Sequence, residues 1–349
     1  MKRRDFVKHS SYGAASLAVP AFFNPPPKKK DKVLAAYYFL AGMYTLVPSS
    51  IRKELDEMAS WGTNIVCLGV TSLAMDRAPR NVHFIVEECH KRDMKCYIVP
   101  SRIAGITAGA PISPSSFSQL NPDTWIKDKN GVTPKRKVGP ICSFYHPKVV
   151  DFFHQVCNQM LDLWDLDGFI WDEPKTTYWQ DFSPLALKNN PEGDFQTYMK
   201  DHTNFFSQIN KGIKEKKKDC TIVYFDEAVR PDVVVEESAK MQYIDYFGPD
   251  GKPWPREASP LGVDTERSKN VVPKYGERFF VEARKNKLKT MCLPENHNMS
   301  KQDNDLMEQY LPSILEMDID MWVYYYYGRN QEEPERNMNI IKQNIKAFK

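Results

Sequence analysis

The sequence predicts an α/β protein: a single (β/α)8 barrel over residues 32–349, with a long loop between its third strand and third helix. Three observations carry this reading. From Val33 onward, near-continuous apolar strands alternate eight times with amphipathic helices, as expected of a parallel sheet buried on both faces. Eight units in roughly 315 residues suit one closed barrel better than an open, doubly wound sheet, which is the alternative. The turn after the first strand, "FLAGMYT", is not the glycine-rich dinucleotide fingerprint, so no such cofactor is expected.

The elements follow in order. "VLAAYYFL" reads as the first strand, and "SSIRKELDEMASWG" as a helix with a serine cap and a glycine stop. "TNIVCLGV" is the second strand and "RNVHFIVEECHKRDM" its helix. "KCYIVPSR" is the third. A Pro/Ser/Gly-rich excursion from Ile103 to Pro140 follows, placed to shape one side of a cleft, and then the helix "HPKVVDFFHQVCNQMLDLW". "DGFIWDEP" is the fourth strand, followed by the long helix "DFQTYMKDHTNFFSQINKGIKEKKK". "CTIVYFDEA" and "PDVVVEESAK" form the fifth unit. "MQYIDYFGPD" opens the sixth, with the helix "VVPKYGERFFVEARKNK". "LKTMCLPENHN" and "SKQDNDLMEQYLPSILEM" form the seventh. "DIDMWVYYYYG" is the eighth strand, and a last helix runs to Phe348.

Composition narrows the function. Of 349 residues, 42% are hydrophobic and 27% charged, which excludes disordered and collagen-like classes. The net charge of +3 is small, and the lysines fall in short runs, "PPPKKKDK" and "KEKKKD". These read as a linker and a solvated helix face, so no nucleic-acid partner is expected. Beyond the N-terminus no apolar run is long enough to cross a membrane. The seven cysteines form no CxxC pair, and their odd number excludes a complete disulfide framework while leaving one bridge open.

The N-terminus "MKRRDFVKHSSYGAASLAVPAFF" resembles a twin-arginine export signal: paired arginines, a nearby Phe, then a weakly apolar Gly/Ala/Ser stretch. "NPPPKKKDK" then reads as a tether. Residues 1–31 are thus expected to be an address, and the barrel a periplasmic or secreted domain.

In this fold the site forms at the C-terminal strand ends. Those ends carry Asp172 and Glu173 after strand four, and Asp226 and Glu227 after strand five. Asp245 and Asp250 flank the end of strand six. Glu295, Asn296, His297 and Asn298 follow strand seven, and Tyr324 to Tyr327 with Arg329 close strand eight. Aromatic residues gather there too: Tyr37, Tyr38, Tyr145, Trp171, Tyr178, Trp179 and Trp254. An acidic, aromatic mouth suits a carbohydrate. Each residue also has a plainer reading. Asp226 or Glu227 can cap the next helix, two of the four consecutive tyrosines must face away from the others, and His297 can be scaffold. Asp172 and Glu173 resist the plain reading, because Pro174 follows them and the next helix starts much later.

"WDEP" resembles the Asn-Glu-Pro end of strand four in the clan A glycoside hydrolases. That resemblance implies Glu173 as general acid/base and Glu295, in "LPEN", as nucleophile. The stretch "NPDTWIKDKNGVT…CSFYHPKVVDFF" resembles the corresponding segment of glycosyl-hydrolase-like barrels. Asp172 stands where the clan has Asn. An Asp-Glu pair is similar to β-hexosaminidase-like barrels, in which the aspartate orients a substrate acetamido group that attacks in place of Glu295. "DGFIWD" also resembles strand four of the α-amylase family, implying Asp172 as nucleophile and Glu227 as acid, although Ile170 replaces the expected arginine. All three imply a glycosidase that needs no cofactor or metal. The strand-end reading adds Asp226, Glu227, Trp171, Tyr178, Trp179, His297, Asn296, Tyr325 and Tyr37 as residues expected to contact sugar. Trp171 is expected to be an apolar wall that helps keep the acid protonated.

Two other readings stay open. Glu173, Asp226 and His297 can be read as the metal set of a sugar isomerase or epimerase barrel, though tyrosines stand where its strand-eight carboxylate belongs. A barrel that binds carbohydrate without catalysis shares the same mouth.

Overall fold

A computed structural model of the chain describes residues 32–40, 45–255, 258 and 273–349. The expected address segment, 1–31, lies outside the described residues. The barrel unit is Lys32–Lys349.

Eight parallel strands close into a barrel in chain order: β1 Val33–Tyr37, β2 Ile65–Val70, β3 Lys95–Pro100, β4 Gly168–Asp172, β5 Thr221–Glu227, β6 Tyr246–Gly251, β7 Lys289–Pro294 and β8 Met321–Tyr325. β8 closes on β1 with Val33 opposite Met321 and Tyr37 opposite Tyr325. The helices between them are α1 Pro48–Ser60, α2 Ser72–Arg77, α3 Pro79–His90, α4 Ser116–Leu120, α5 Pro147–Leu163, α6 Pro184–Asn189, α7 Phe195–Lys216, α8 Asp232–Ser238, α9 Pro273–Lys285, α10 Lys301–Leu315 and α11 Pro334–Phe348.

The (β/α)8 expectation holds, with local differences. The helix after β2 is two helices, because Thr71 caps α2 through Ala74 N and Pro79 starts α3. The segment between β3 and α5 is no bare loop: it carries α4 and two single 3₁₀ turns, Ile103–Gly105 and Pro122–Thr124.

Strand alternation sorts the core into two layers. Ala35, Tyr37, Cys67, Val99, Ile170, Val223, Phe225, Tyr246, Met291, Leu293, Val323 and Tyr325 pack together inside the barrel. Their neighbours Leu34, Phe169, Trp171, Tyr224, Phe247, Trp322 and Tyr324 pack outward against the helices. β6 passes so close to β7 at Gly248 that a Cβ would meet the Met291 carbonyl oxygen at 1.8 Å, so only glycine fits. The seven cysteines are buried and free.

The N-terminal face is held by polar clamps. Asp167 accepts from Cys96 N at 2.8 Å, and Asp245 accepts from Lys214 and from Ile222 N at 2.8 Å each. The sequence reading sets Asp245 beside the end of strand six. It precedes β6 instead, which puts it on the face opposite the mouth.

Candidate active site

The two-residue period fixes which acids reach the mouth. Ile170, Phe225 and Leu293 face inward, so the next inward positions on their strands are Asp172, Glu227 and Glu295. On β6, Tyr246 faces inward and brings Asp250 to the same level. All four carboxylates are buried.

The same rule corrects two expectations. Trp171 lies between inward Ile170 and Asp172, so it faces the helices. It is fully buried, donates from Nε1 to Asn210 Oδ1 at 2.7 Å and packs on Phe153 and Phe206. It cannot be the wall of a sugar site. Asp226 shares the outward face of Tyr224. Its Oδ1 accepts from Glu227 N at 2.8 Å, and its Oδ2 is buried without a hydrogen-bond partner. Burial pushes its carboxyl up to about 6, against the pull of the nearby Arg230.

Glu173 departs from the alternation. Its φ is +36°, in the left-handed region that costs a non-glycine residue about 1–3 kcal/mol. Its N–H donates to Phe225 O at 3.2 Å, while Asp172 O accepts from Ala108 N at 2.8 Å. The turn swings Glu173 back to the mouth, so two adjacent acids serve one site where a regular strand would send them to opposite faces. Glu173 pairs with Lys175. One carboxylate oxygen from each of Glu173, Asp250 and Glu295 lies within 4.8 Å of the others. Three hard oxygen donors at that spacing can hold a divalent cation. The isomerase set of Glu173, Asp226 and His297 is not what the fold assembles, because Asp226 points outward.

At the end of β7, Glu295 N donates to Gly251 O at 2.8 Å. His297 Nε2 lies 3.6 Å from Glu295 Oε1 and 3.3 Å from Arg329 Nη2, and its ring meets Tyr325 edge-on at 4.4 Å. Lys252 donates to the carbonyl oxygens of His297 and Glu295. Asn296 is not available to a ligand: its Nδ2 donates to Tyr325 O and Asn337 Oδ1, and its Oδ1 accepts from Tyr325 N at 2.7 Å. It ties β7 to β8.

The aromatic residues divide the same way. Tyr37 stacks on Phe39 at 4.5 Å and meets Tyr325 edge-on at 5.2 Å. These three, with Pro111, Tyr327 and Arg329, line a cavity of about 260 Å³. The Tyr37 hydroxyl is buried and has no hydrogen-bond partner. Burial and the charge of Asp172 hold the Tyr37 and Tyr325 phenols well above their usual range, so both are neutral hydroxyls. Tyr38 and Tyr326 instead face α1, pairing with Glu54 and Glu57, and Tyr324 meets Thr63 at 2.9 Å. Tyr145 donates to Asp201 of α7 at 2.8 Å, away from the inward layer. Tyr178 stacks under the Arg230 guanidinium at 3.2 Å, and Trp179 is exposed on the loop after β4.

Of the basic residues around the mouth, the sequence reading names Arg329 alone. Lys175, Arg230, Lys252, Arg329 and Arg102 sit among its acids, Arg230 lying 3.5 Å from Glu227. Arg102 ends "KCYIVPSR", and the strand-end position that found Arg329 could have found it too.

No family model matches the sequence, and no curated protein is similar to it in sequence. The fold is similar to Amy13B of Eubacterium rectale (13% identity, TM-score 0.52, over 86% of this chain and 66% of that one). It is also similar to the β-galactosidase of the psychrophilic Marinomonas ef1 (11% identity, TM-score 0.62), where 90% of this chain matches 60% of that one. With the endo-1,4-β-mannanase of Rhizomucor miehei it shares 11% identity and a TM-score of 0.57, over 92% of this chain and 96% of that one. The chain spans less than two thirds of the first two structures. At these identities the likeness is one of fold: the chain has the (β/α)8 barrel of these glycoside hydrolases.

Proposed function

We propose that this chain hydrolyses glycosidic bonds, with Glu173 as general acid/base, Glu295 as nucleophile and Asp172 orienting the sugar. The observation that carries the reading is the approach of Glu173 and Glu295, from the ends of β4 and β7, to within 4.8 Å. Retaining enzymes hold their two carboxyl groups about 5–5.5 Å apart, whereas inverting ones leave about 6.5–9.5 Å for a water. Glu173 and Glu295 therefore favour retention. Asp250 brings a third carboxylate to the same place. Tyr37 and Tyr325 offer neutral hydroxyls and ring faces to the sugar.

One observation favours exchanging the two roles. The ammonium of Lys175 on Glu173 stabilises the carboxylate form, which suits a nucleophile better than an acid. Kinetics separate the two assignments. The glutamine variant of the acid retains its first step on activated aryl glycosides and loses about 10²–10⁴-fold on unactivated glycans. The glutamine variant of the nucleophile loses both. Product stereochemistry, read early by NMR, tests retention, and inversion would exclude both assignments. Tight glycan binding with no turnover by the native chain would make it the carbohydrate-binding barrel instead. We also propose export through the twin-arginine-like segment, on the strength of Arg3 and Arg4 with the small-residue stretch after them.

A further inference from the structure

Arg102 and Arg136 make no ion pair or side-chain hydrogen bond among the described residues, yet each has a guanidinium nitrogen removed from solvent: Nε of Arg102 and Nη1 of Arg136. A buried N–H without an acceptor is costly, more so when it carries charge. Surface arginines avoid that cost by turning to water. Both backbones are held in place. Arg102 follows β3 with φ +59°. Its N–H donates to Ala108 O at 3.0 Å and its carbonyl accepts from Gly105 N at 3.2 Å, while Ala108 N is tied to Asp172 O on β4. Arg136 comes from the excursion between β3 and α5, in a turn where its carbonyl accepts from Gly139 N at 3.2 Å.

The loop that carries Arg136 lies against the turn that carries Arg102: Cys142 N donates to Ala104 O at 3.0 Å, and a Cβ on Gly105 would meet the Pro140 carbonyl. Burial lowers the Arg136 pKa to about 10, and the charge of Arg102 adds to the effect; no carboxylate offsets it. Arg102 follows the C-terminal end of β3, and its tie through Ala108 to Asp172 O places it at the mouth; burial lowers its pKa against the pull of Asp172 and Glu173. Asp172 and Glu173 are near enough to act on Arg102 but do not contact it. Two neighbouring segments thus each bring an arginine with an unspent buried donor to one edge of the cleft, which an oxyanion reaching both would satisfy. Guanidinium forks fit such groups in planar, bidentate fashion.

We propose that Arg102 and Arg136 form a subsite for an oxyanion carried by the substrate, so that the glycan is an acidic one bearing a uronate carboxylate or a sulfate ester. The inference rests on the glycan reading of the mouth and names its substrate class. A neutral sugar leaves these donors buried and unpaired.

Calorimetric titration of the full chain with glucuronate, glucose 6-sulfate and glucose tests it. The chain should bind one of the two anions at least about ten-fold more tightly than glucose, with the preference shrinking as salt rises. The preferred anion identifies carboxylate or sulfate. Arg136→Gln should abolish the preference, and Arg136→Lys, which keeps the charge without the fork, should restore part of it. Thermal melts establish that both variants are folded. If Arg136→Gln does not fold, competition by inorganic sulfate against the bound anion in the native chain replaces it. Equal affinity for anion and glucose, or a preference untouched by Arg136→Gln, would overturn the subsite. Because binding is read without turnover, failure of the hydrolase reading appears separately, as an arginine-dependent anion preference in a chain that cleaves no glycan.

Discussion

Asp226→Asn isolates the buried carboxylate beside the site. Asp226 is almost wholly buried. Its carboxyl is pushed from the ordinary 3.8 up to about 6, chiefly by burial and despite Arg230. The folded chain therefore keeps a proton that the unfolded chain gives up between those values. Stability contributed by this group is present at low pH and is lost as pH rises to about 6. A shift of about two units is worth about 3 kcal/mol. Asparagine cannot ionise, and its Oδ1 can still accept from Glu227 N, as Asp226 does at 2.8 Å. Urea unfolding of both chains, at steps from about pH 4 to about pH 7, should show the variant gaining on the native chain by about 2 kcal/mol, with nearly half the gain reached by about pH 5. Comparing the two chains cancels every other titrating group. Parallel stability curves would refute the reasoning, because they would mean that the carboxylate is as well solvated in the fold as in water.

His202 should act in the opposite direction. Both of its ring nitrogens are buried without partners, and burial lowers its pKa from 6.5 to about 3, so stability present above the ordinary value is lost as pH falls below it. His202→Phe should remove about 2 kcal/mol of the loss between about pH 7 and about pH 5, measured by denaturant unfolding. Replacing Arg3 and Arg4 with lysine should hold the chain in the cytoplasm, and undiminished arrival in the periplasm on fractionation would exclude a twin-arginine signal. Chelation should leave glycan turnover unchanged, since the proposed chemistry uses protons and carboxylates alone. A stoichiometric metal on elemental analysis, with activity lost on its removal, would give Glu173, Asp250 and Glu295 to metal chemistry instead.

The eight-fold alternation was legible in the sequence because apolar period is local. "TNIVCLGV" and "DGFIWDEP" are strands wherever they pack, and their number and spacing already implied closure. That acids would collect at the strand ends was legible for the same reason: a polar pair after an apolar run marks where the strand leaves the core. Which of those acids share a site was not. Phase along a strand decides that, and one residue reverses it. Trp171 and Asp226 lost their expected places because Ile170 and Phe225 take the inward positions. Glu173 kept its place only because a positive φ breaks the alternation that would have turned it away, and nothing in "WDEP" announces that dihedral. Asp250 joined Glu173 and Glu295 across strands far apart in the chain, and Arg136 reached Arg102 from the excursion after β3. Such meetings depend on barrel closure and on how loops fold back over it. They are set by long-range packing, which no window of sequence contains.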